Sequence, residues 1–81
     1  MFRKHHKKYP VRTENQIQEE IIQTLREFPK STYGVAKAIN CDKRTARRNL
    51  EKLAELNRIK VYKQPFKLSF VRYWAINSEY D

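Results

Sequence analysis

The sequence contains little glycine, little cysteine and no long apolar run, and each shortage excludes a class of protein. Gly34 is the only glycine among 81 residues, which excludes the glycine-rich loops that surround phosphates in many nucleotide-dependent enzymes. Cys41 is the only cysteine, so neither an internal disulfide nor a multi-thiolate zinc site can form. No stretch approaches the roughly 20 apolar residues of a membrane span, and no signal-peptide core follows the basic N-terminus. These absences predict a cytoplasmic protein.

Acidic residues are also scarce, with nine Asp and Glu against eighteen Lys and Arg, for a net charge of +9. Such an excess repels itself in a compact fold and usually signals a polyanionic partner, nucleic acid first and an anionic membrane second. The charge is polarised along the chain: residues 1–12 and 58–76 each carry five cations and no acid, whereas residues 13–28 are net negative. A basic protein without such a partner is the alternative.

The first helix is predicted over about 14–28. Thr13 and Gln16 have the spacing of a capping box, in which each side chain satisfies a free backbone N–H of the helix start. Apolar residues then recur at helical spacing, and Pro29 ends the run. The outer face of this helix is acidic, so we expect it to pack against the core and to avoid nucleic acid.

Two further helices are predicted, over 33–39 and from Asp42 to about Leu56. Ser31 or Thr32 can cap the first, and Asp42 can cap the second, because a short polar side chain accepts hydrogen bonds from the first free N–H groups. Asparagine tolerates the left-handed conformation that ends many helices. The candidate caps of this kind are Asn40 and Asn57.

A β-hairpin is predicted to close the domain. Residues 58–63 alternate between polar and apolar side chains, and residues 70–76 are rich in β-branched and aromatic residues. Residues 64–69 are expected to form a turn of about six residues between these strands.

A short helix followed by a capped basic helix is the pattern of a helix-turn-helix. In that motif the N-terminal turns of the second helix contact base edges in the major groove. Arginine can pair with guanine and asparagine with adenine, which adds Asn49 to the possible contacts. A solvated basic face is the alternative interpretation. The candidate base-reading residues are Lys43, Arg44, Thr45, Arg47 and Arg48.

Residues 31–76 resemble the winged-helix family of transcription regulators through the run S-T-Y-G-V-A-K-A-I-N-C-D-K-R-T-A-R-R-N-L-E-K-L, the run L-N-R-I-K-V-Y and the hairpin. The resemblance implies an α+β domain, mainly α, with three helices followed by a hairpin wing. It also implies double-stranded DNA as partner, sequence-specific transcription regulation and a homodimer. Compact basic members from archaea and their viruses are similar, and the expected location is the nucleoid, or the host cell if the protein is viral. The wing residues expected near phosphate or the minor groove are Lys63, Lys67 and Arg72.

Three segments are therefore predicted: a flexible basic arm over 1–12, the winged-helix domain over 13–78 and a tail over 79–81. By analogy with basic arms elsewhere, the first segment is expected to contact phosphate or the minor groove; disordered filler is the alternative. The arm residues in this prediction are Arg3, Lys4, Lys7, Lys8 and Arg12.

Several alternatives stay open at this point. The same surface can serve RNA, or DNA architecture without sequence specificity. Trp74, Tyr73 and Phe70 can pack the hairpin against the helices or stack on single-stranded bases. Cys41 can be a buried apolar residue or a redox sensor. His5, His6 and Cys41 are too few ligands for a metal site, and no small-molecule ligand, cofactor or enzymatic activity is expected.

Overall fold

The computed structural model describes residues 11–78, and it has the α+β, mainly helical architecture that the sequence predicts. The predicted arm contacts of Arg3, Lys4, Lys7 and Lys8 and the tail over 79–81 lie outside the described residues. The elements in chain order are α1 (Glu14–Glu27), β1 (Lys30–Ser31), α2 (Thr32–Ile39), α3 (Lys43–Glu55), β2 (Ile59–Phe66) and β3 (Ser69–Ile76).

Each helix begins at a polar cap. The Thr13 hydroxyl accepts from the Gln16 N–H at 3.1 Å, and the Gln16 side chain accepts from the Thr13 N–H at 2.9 Å, so the predicted capping box is present. The Ser31 hydroxyl caps α2 by accepting from the Gly34 N–H at 3.1 Å. Asp42 caps α3 in the same way, so all three starts follow from local side-chain chemistry.

The two asparagine caps adopt the left-handed conformation, with φ of 58° at Asn40 and 61° at Asn57. Asn40 ends α2 and turns the chain into α3 within three residues, while Asn57 turns it from α3 into β2. Neither the turn of the helix-turn-helix nor the turn into the hairpin therefore needs a glycine.

The core lies where the three helices meet the base of the hairpin. Trp74 is the largest fully buried side chain, and its indole N–H donates to the Thr32 hydroxyl at 2.9 Å. Packing rather than base stacking is thus the role of this tryptophan. The buried apolar residues are Ile21, Ile22, Leu25, Val35, Ala36, Ile39, Cys41, Ala46, Leu50, Leu53, Ile59 and Trp74.

The sheet departs from the prediction in two ways. The short strand β1 pairs antiparallel with β3, which gives a three-stranded sheet in the order β1-β3-β2 instead of a simple hairpin. The expected turn of about six residues over 64–69 is wrong, because β2 continues to Phe66 and β3 already begins at Ser69. Lys67 permits this tight connection by adopting φ of 56°, and Pro65 is tolerated because β2 is an edge strand.

Candidate nucleic-acid interface

The N-terminal half of α3 presents its basic side chains to solvent while the opposite side enters the core. Ala46, Leu50 and Leu53 are fully buried, whereas Lys43, Arg44, Arg47 and Arg48 are exposed. Asp42 is the N-cap of the helix, and its carboxylate accepts from the Thr45 N–H at 3.1 Å. The Thr45 side chain and N–H both hydrogen-bond this carboxylate and hold the pKa of Asp42 below its usual range. The cap is therefore ionised at neutral pH and fixes the start of the basic surface.

A cleft of about 300 Å³ lies between the start of α3 and the middle of the hairpin. Three α3 cations and one cation from β3 converge on it, together with the first residue of α2. Within residues 11–78, the three α3 side chains form no ion pair. An anion that enters the cleft therefore meets three α3 cations that no carboxylate of the described residues neutralises. The lining residues are Thr32, Lys43, Arg44, Arg47 and Arg72.

Arg72 links this cleft to the hairpin. It lies directly opposite Lys63 in the register of β2 and β3, and like charges in that position destabilise a strand pair. Within the part of the chain that the structure describes, the Glu51 carboxylate on α3 approaches Arg72 at 3.8 Å. Glu51 is exposed on α3, and its proximity to Arg72 depends on the hairpin register. The hairpin thus keeps two adjacent cations that its own folding does not favour.

Arg48 and Thr45 lie apart from the cleft. The Glu14 carboxylate of α1 hydrogen-bonds Lys52 of α3, and this contact, with a smaller contribution from Arg48, lowers the pKa of Glu14. Arg48 lies one helical turn before Lys52, so it projects to the same side of α3, towards α1. Thr45 is half-buried and engaged with Asp42. Of the five predicted base-reading residues, the structure groups Lys43, Arg44 and Arg47.

Asn49 is not available for base recognition. Its side chain is buried, its amide N–H donates to the Thr45 carbonyl at 3.0 Å, and its oxygen accepts from Gln18 of α1 at 3.1 Å. The suggestion that this asparagine pairs with adenine is corrected by this packing. Asn49 instead joins α3 to α1, because a buried amide has to find partners inside the protein.

Arg12 does not belong to a free arm. Its guanidinium forms an ion pair with Glu20 and donates to the carbonyls of Ile39 and Asn40, both at 2.8 Å. These contacts attach the chain before α1 to the end of α2. The predicted boundary of the arm at residue 12, and with it the arm role of Arg12, is corrected because this side chain satisfies carbonyls at a helix end.

The other two wing cations lie outside the cleft lining. Lys63 is placed beside it by the pairing with Arg72, while Lys67 lies in the two-residue turn at the far end of the hairpin. The Lys67 ammonium lies 5.4 Å from the centre of the Phe66 ring, within the range of a cation–π interaction. The predicted wing residues therefore extend along the hairpin from the cleft to its tip.

Cys41 is buried, and burial raises the pKa of its thiol. This environment fits the interpretation of Cys41 as a small apolar residue of the turn, since the reactive form of cysteine is the thiolate. No cluster of three or more His, Cys, Asp or Glu side chains within residues 11–78 has the arrangement of a metal site. Over the same range, no helix combines the length and apolar character needed to cross a bilayer.

The overall shape, with a helix-turn-helix followed by a projecting hairpin, is the winged-helix fold. No protein-family model matches the sequence, and no curated protein matches it significantly. Solved structures do match. The Zα domain of PKZ from Carassius auratus, in a crystal structure with Z-DNA, shares 28% identity with a TM-score of 0.64, over 78% of this chain and 95% of that one.

Two other structures share the fold at lower identity. A possible transcriptional regulator from Methanosarcina mazei matches over 83% of this chain, with 16% identity and a TM-score of 0.67. ZitR from Lactococcus lactis, in complex with DNA, matches over 91%, with 20% identity and a TM-score of 0.68. This chain spans 56% and 53% of those two chains, respectively. The prediction of a winged-helix fold is confirmed.

Proposed function

We propose that this protein binds double-stranded DNA through the face formed by α3 and the hairpin, and that it regulates transcription. The observation that carries the proposal is the cleft in which Lys43, Arg44, Arg47 and Arg72 converge. Folding gains nothing from such a concentration of like charge, whereas a phosphate backbone neutralises it with release of counterions.

In the proposed complex the first two turns of α3 enter the major groove. Arg44 and Arg47 are long enough to reach base edges and can bind guanine O6 and N7 with paired hydrogen bonds. Lys43 at the helix start and Arg72 on the hairpin bind phosphates on either side. Glu51 limits how far the basic surface extends along α3, so only the N-terminal half of the helix reads sequence.

The structural neighbours support the same class of ligand. The PKZ Zα domain and ZitR were both solved with DNA, and the Methanosarcina mazei protein is described as a possible transcriptional regulator. Sequence-specific binding, a homodimer on a two-fold symmetric site, a nucleoid location and the lack of enzymatic activity belong to this proposal.

Competition between nucleic acids tests the choice of ligand. A labelled right-handed duplex of mixed sequence is displaced by unlabelled duplex DNA, duplex RNA, single-stranded DNA or a duplex held in the Z form. We expect the right-handed DNA duplex to compete best. Stronger competition by RNA supports an RNA-binding module instead. Stronger competition by Z-form DNA indicates that the site prefers a left-handed duplex.

Selection of binding sites from random duplexes tests specificity and symmetry together. A palindromic product indicates a dimer, because operator symmetry mirrors protein symmetry. A dimer that neutralises about eight to ten phosphates gives a slope of log K against log salt near −7 to −9. A selection that returns no preferred sequence contradicts sequence-specific regulation and supports an architectural role.

A further inference from the structure

The far end of the hairpin exposes apolar side chains that the fold does not use. We call residues 65–70 the wing tip. Phe66, Leu68 and Phe70 are 57%, 104% and 64% exposed, and none of them belongs to the core cluster or packs against it. Water-exposed apolar side chains gathered at one place mark an interaction site. The wing tip therefore needs a partner to account for its composition.

The arrangement of these side chains distinguishes insertion from flat docking. Phe70 pairs with Pro65 and Phe66 pairs with Ser69 across the hairpin. Since neighbouring pairs point to opposite faces of a strand pair, the two phenylalanines lie on opposite faces, and Leu68 lies in the turn between the strands. A surface that docks flat requires apolar side chains on one face only. Apolar groups on both faces and at the end suit an element that enters its partner.

The charge of the hairpin restricts what that partner is. Residues 59–76 contain four cations and no acid, so the partner combines an apolar layer with surrounding negative charge. Lys67 lies in the turn beside Phe66 and Leu68, where insertion into a bilayer would bring its ammonium towards hydrocarbon, an unfavourable position. The minor groove of DNA instead offers negative potential to a cation at that place.

The wing tip also continues from the cleft. Arg72 lines the cleft with Lys43 and Arg47, and only one residue, Val71, separates Arg72 from Phe70. A duplex bound by the cleft residues therefore extends towards the tip without any intervening acidic side chain on the hairpin. These observations favour DNA over a membrane.

We propose that the wing tip inserts its apolar side chains into the minor groove of the bound duplex, partly unstacks a base step and bends the DNA. This inference rests on the proposed function, since α3 and the cleft supply the binding on which the insertion depends. Apolar wedges of this kind separate neighbouring bases and kink the duplex. Pyrimidine–purine steps such as TA are the easiest to open, so the tip adds a preference for deformable sequences.

The test uses the full chain and a mixed-sequence duplex with a central TA step. Donor and acceptor dyes at the two ends report bending, and 2-aminopurine at the central step reports unstacking. With the wild-type protein we expect a bend of about 20–90° and a rise in 2-aminopurine fluorescence. The triple variant Phe66→Ser, Leu68→Ser, Phe70→Ser binds the duplex through α3 but leaves it straight and stacked.

Two further variants keep the result interpretable. Leu56→Ser, at an apolar side chain that is 59% exposed outside the wing tip, is expected to bend DNA as the wild type does. Leu68→Ser alone changes the most exposed of the three tip residues, so it reports on the tip even if the triple variant folds poorly. It is expected to show a smaller bend than the wild type.

The outcomes separate this inference from the proposed function. A triple variant that binds and bends the duplex like the wild type overturns the insertion and leaves DNA binding intact. A wild type that binds no duplex overturns both. Tip-dependent binding to phosphatidylserine vesicles without bending of DNA, or tip-dependent self-association in sedimentation, assigns the tip to a membrane or to a second copy and overturns the insertion.

Discussion

The two sides of the domain treat their cations differently. On the side of α1, Arg12, Lys30 and Lys52 each face a carboxylate of that helix, namely Glu20, Glu27 and Glu14. On the side of the hairpin, Lys43, Arg44 and Arg47 form no ion pair within residues 11–78. The net charge of +9 is therefore not spread over the surface. Cations near α1 attach parts of the fold to each other, whereas these three α3 cations have no carboxylate partner among the described residues.

The largest expected effect on DNA binding lies on the side of the hairpin. Arg44→Ala is expected to cost about 1–3 kcal/mol of DNA binding and to relax the sequence preference at one position, because base contacts specify and phosphate contacts position. Lys67→Ala, in the wing turn, should weaken all sequences alike. Affinities for the selected site and for single-base variants of it check the difference. If Arg44→Ala weakens binding equally on every sequence, the prediction that α3 reads bases in the major groove is contradicted.

Arg12→Ala tests the opposite side. The variant loses an ion pair with Glu20 and leaves the carbonyls of Ile39 and Asn40 without their donor. Charged hydrogen bonds of this kind contribute about 1.5–3 kcal/mol, so we expect the free energy of unfolding in urea to fall by about that amount. DNA affinity measured below the unfolding transition should change little. A large loss of affinity with unchanged stability would instead indicate that Arg12 contacts DNA.

Asn49→Ala separates a buried residue of α3 from its exposed neighbours. The Gln18 amide loses its acceptor, whereas the Thr45 carbonyl loses only a side-chain donor and keeps its helical one. An unsatisfied polar group costs about 1–3 kcal/mol when it is buried. We expect the lower half of this range, because Gln18 is half-buried and water can reach it. Denaturant unfolding measures the loss. A change of base preference at one position of the selected site would instead show that Asn49 reads DNA.

Asp42 has the smallest expected effect and a dependence on pH. Loss of the cap in Asp42→Ala is expected to cost about 1 kcal/mol. Because the pKa of Asp42 is lowered in the folded protein, its contribution is complete above the unfolded value of about 3.9 and is lost as the pH falls through the folded value. Asp42→Asn keeps a cap that does not titrate, so the stability of this variant should not show the loss at acidic pH that Asp42 causes. Identical acid unfolding of wild type and Asp42→Asn would contradict the role of the charge.

Local chemistry made much of this structure predictable. Thr13, Ser31 and Asp42 cap helices because their side chains reach N–H groups three residues away, which is visible in the sequence. The basic half of α3 was also predictable, because its cations are close together in the sequence. The winged-helix fold then followed from the resemblance of residues 31–76 and is confirmed by the neighbours.

What sequence did not predict depends on distant contacts. β1 has only two residues, and it forms because β3 offers a free edge beside Lys30 and Ser31. Arg12 meets the end of α2, which is 27 residues away along the chain. Asn49 lies at the border between the core and the solvent face of α3, where its side chain is held by a hydrogen bond from Gln18 of another helix. No periodicity in the sequence reports such pairings.

One measurement tests the central claim most directly, namely that unpaired cations beside the hairpin bind the DNA backbone and bases. Fluorescence anisotropy on one duplex, over a range of salt, compares the wild type with Arg47→Ala and Lys52→Ala, which remove the same charge from the same helix. The account predicts a weaker and less salt-dependent complex for Arg47→Ala and an unchanged slope for Lys52→Ala, because each lost phosphate contact lowers the slope by about 1. Equal affinities and equal slopes for all three proteins would contradict it.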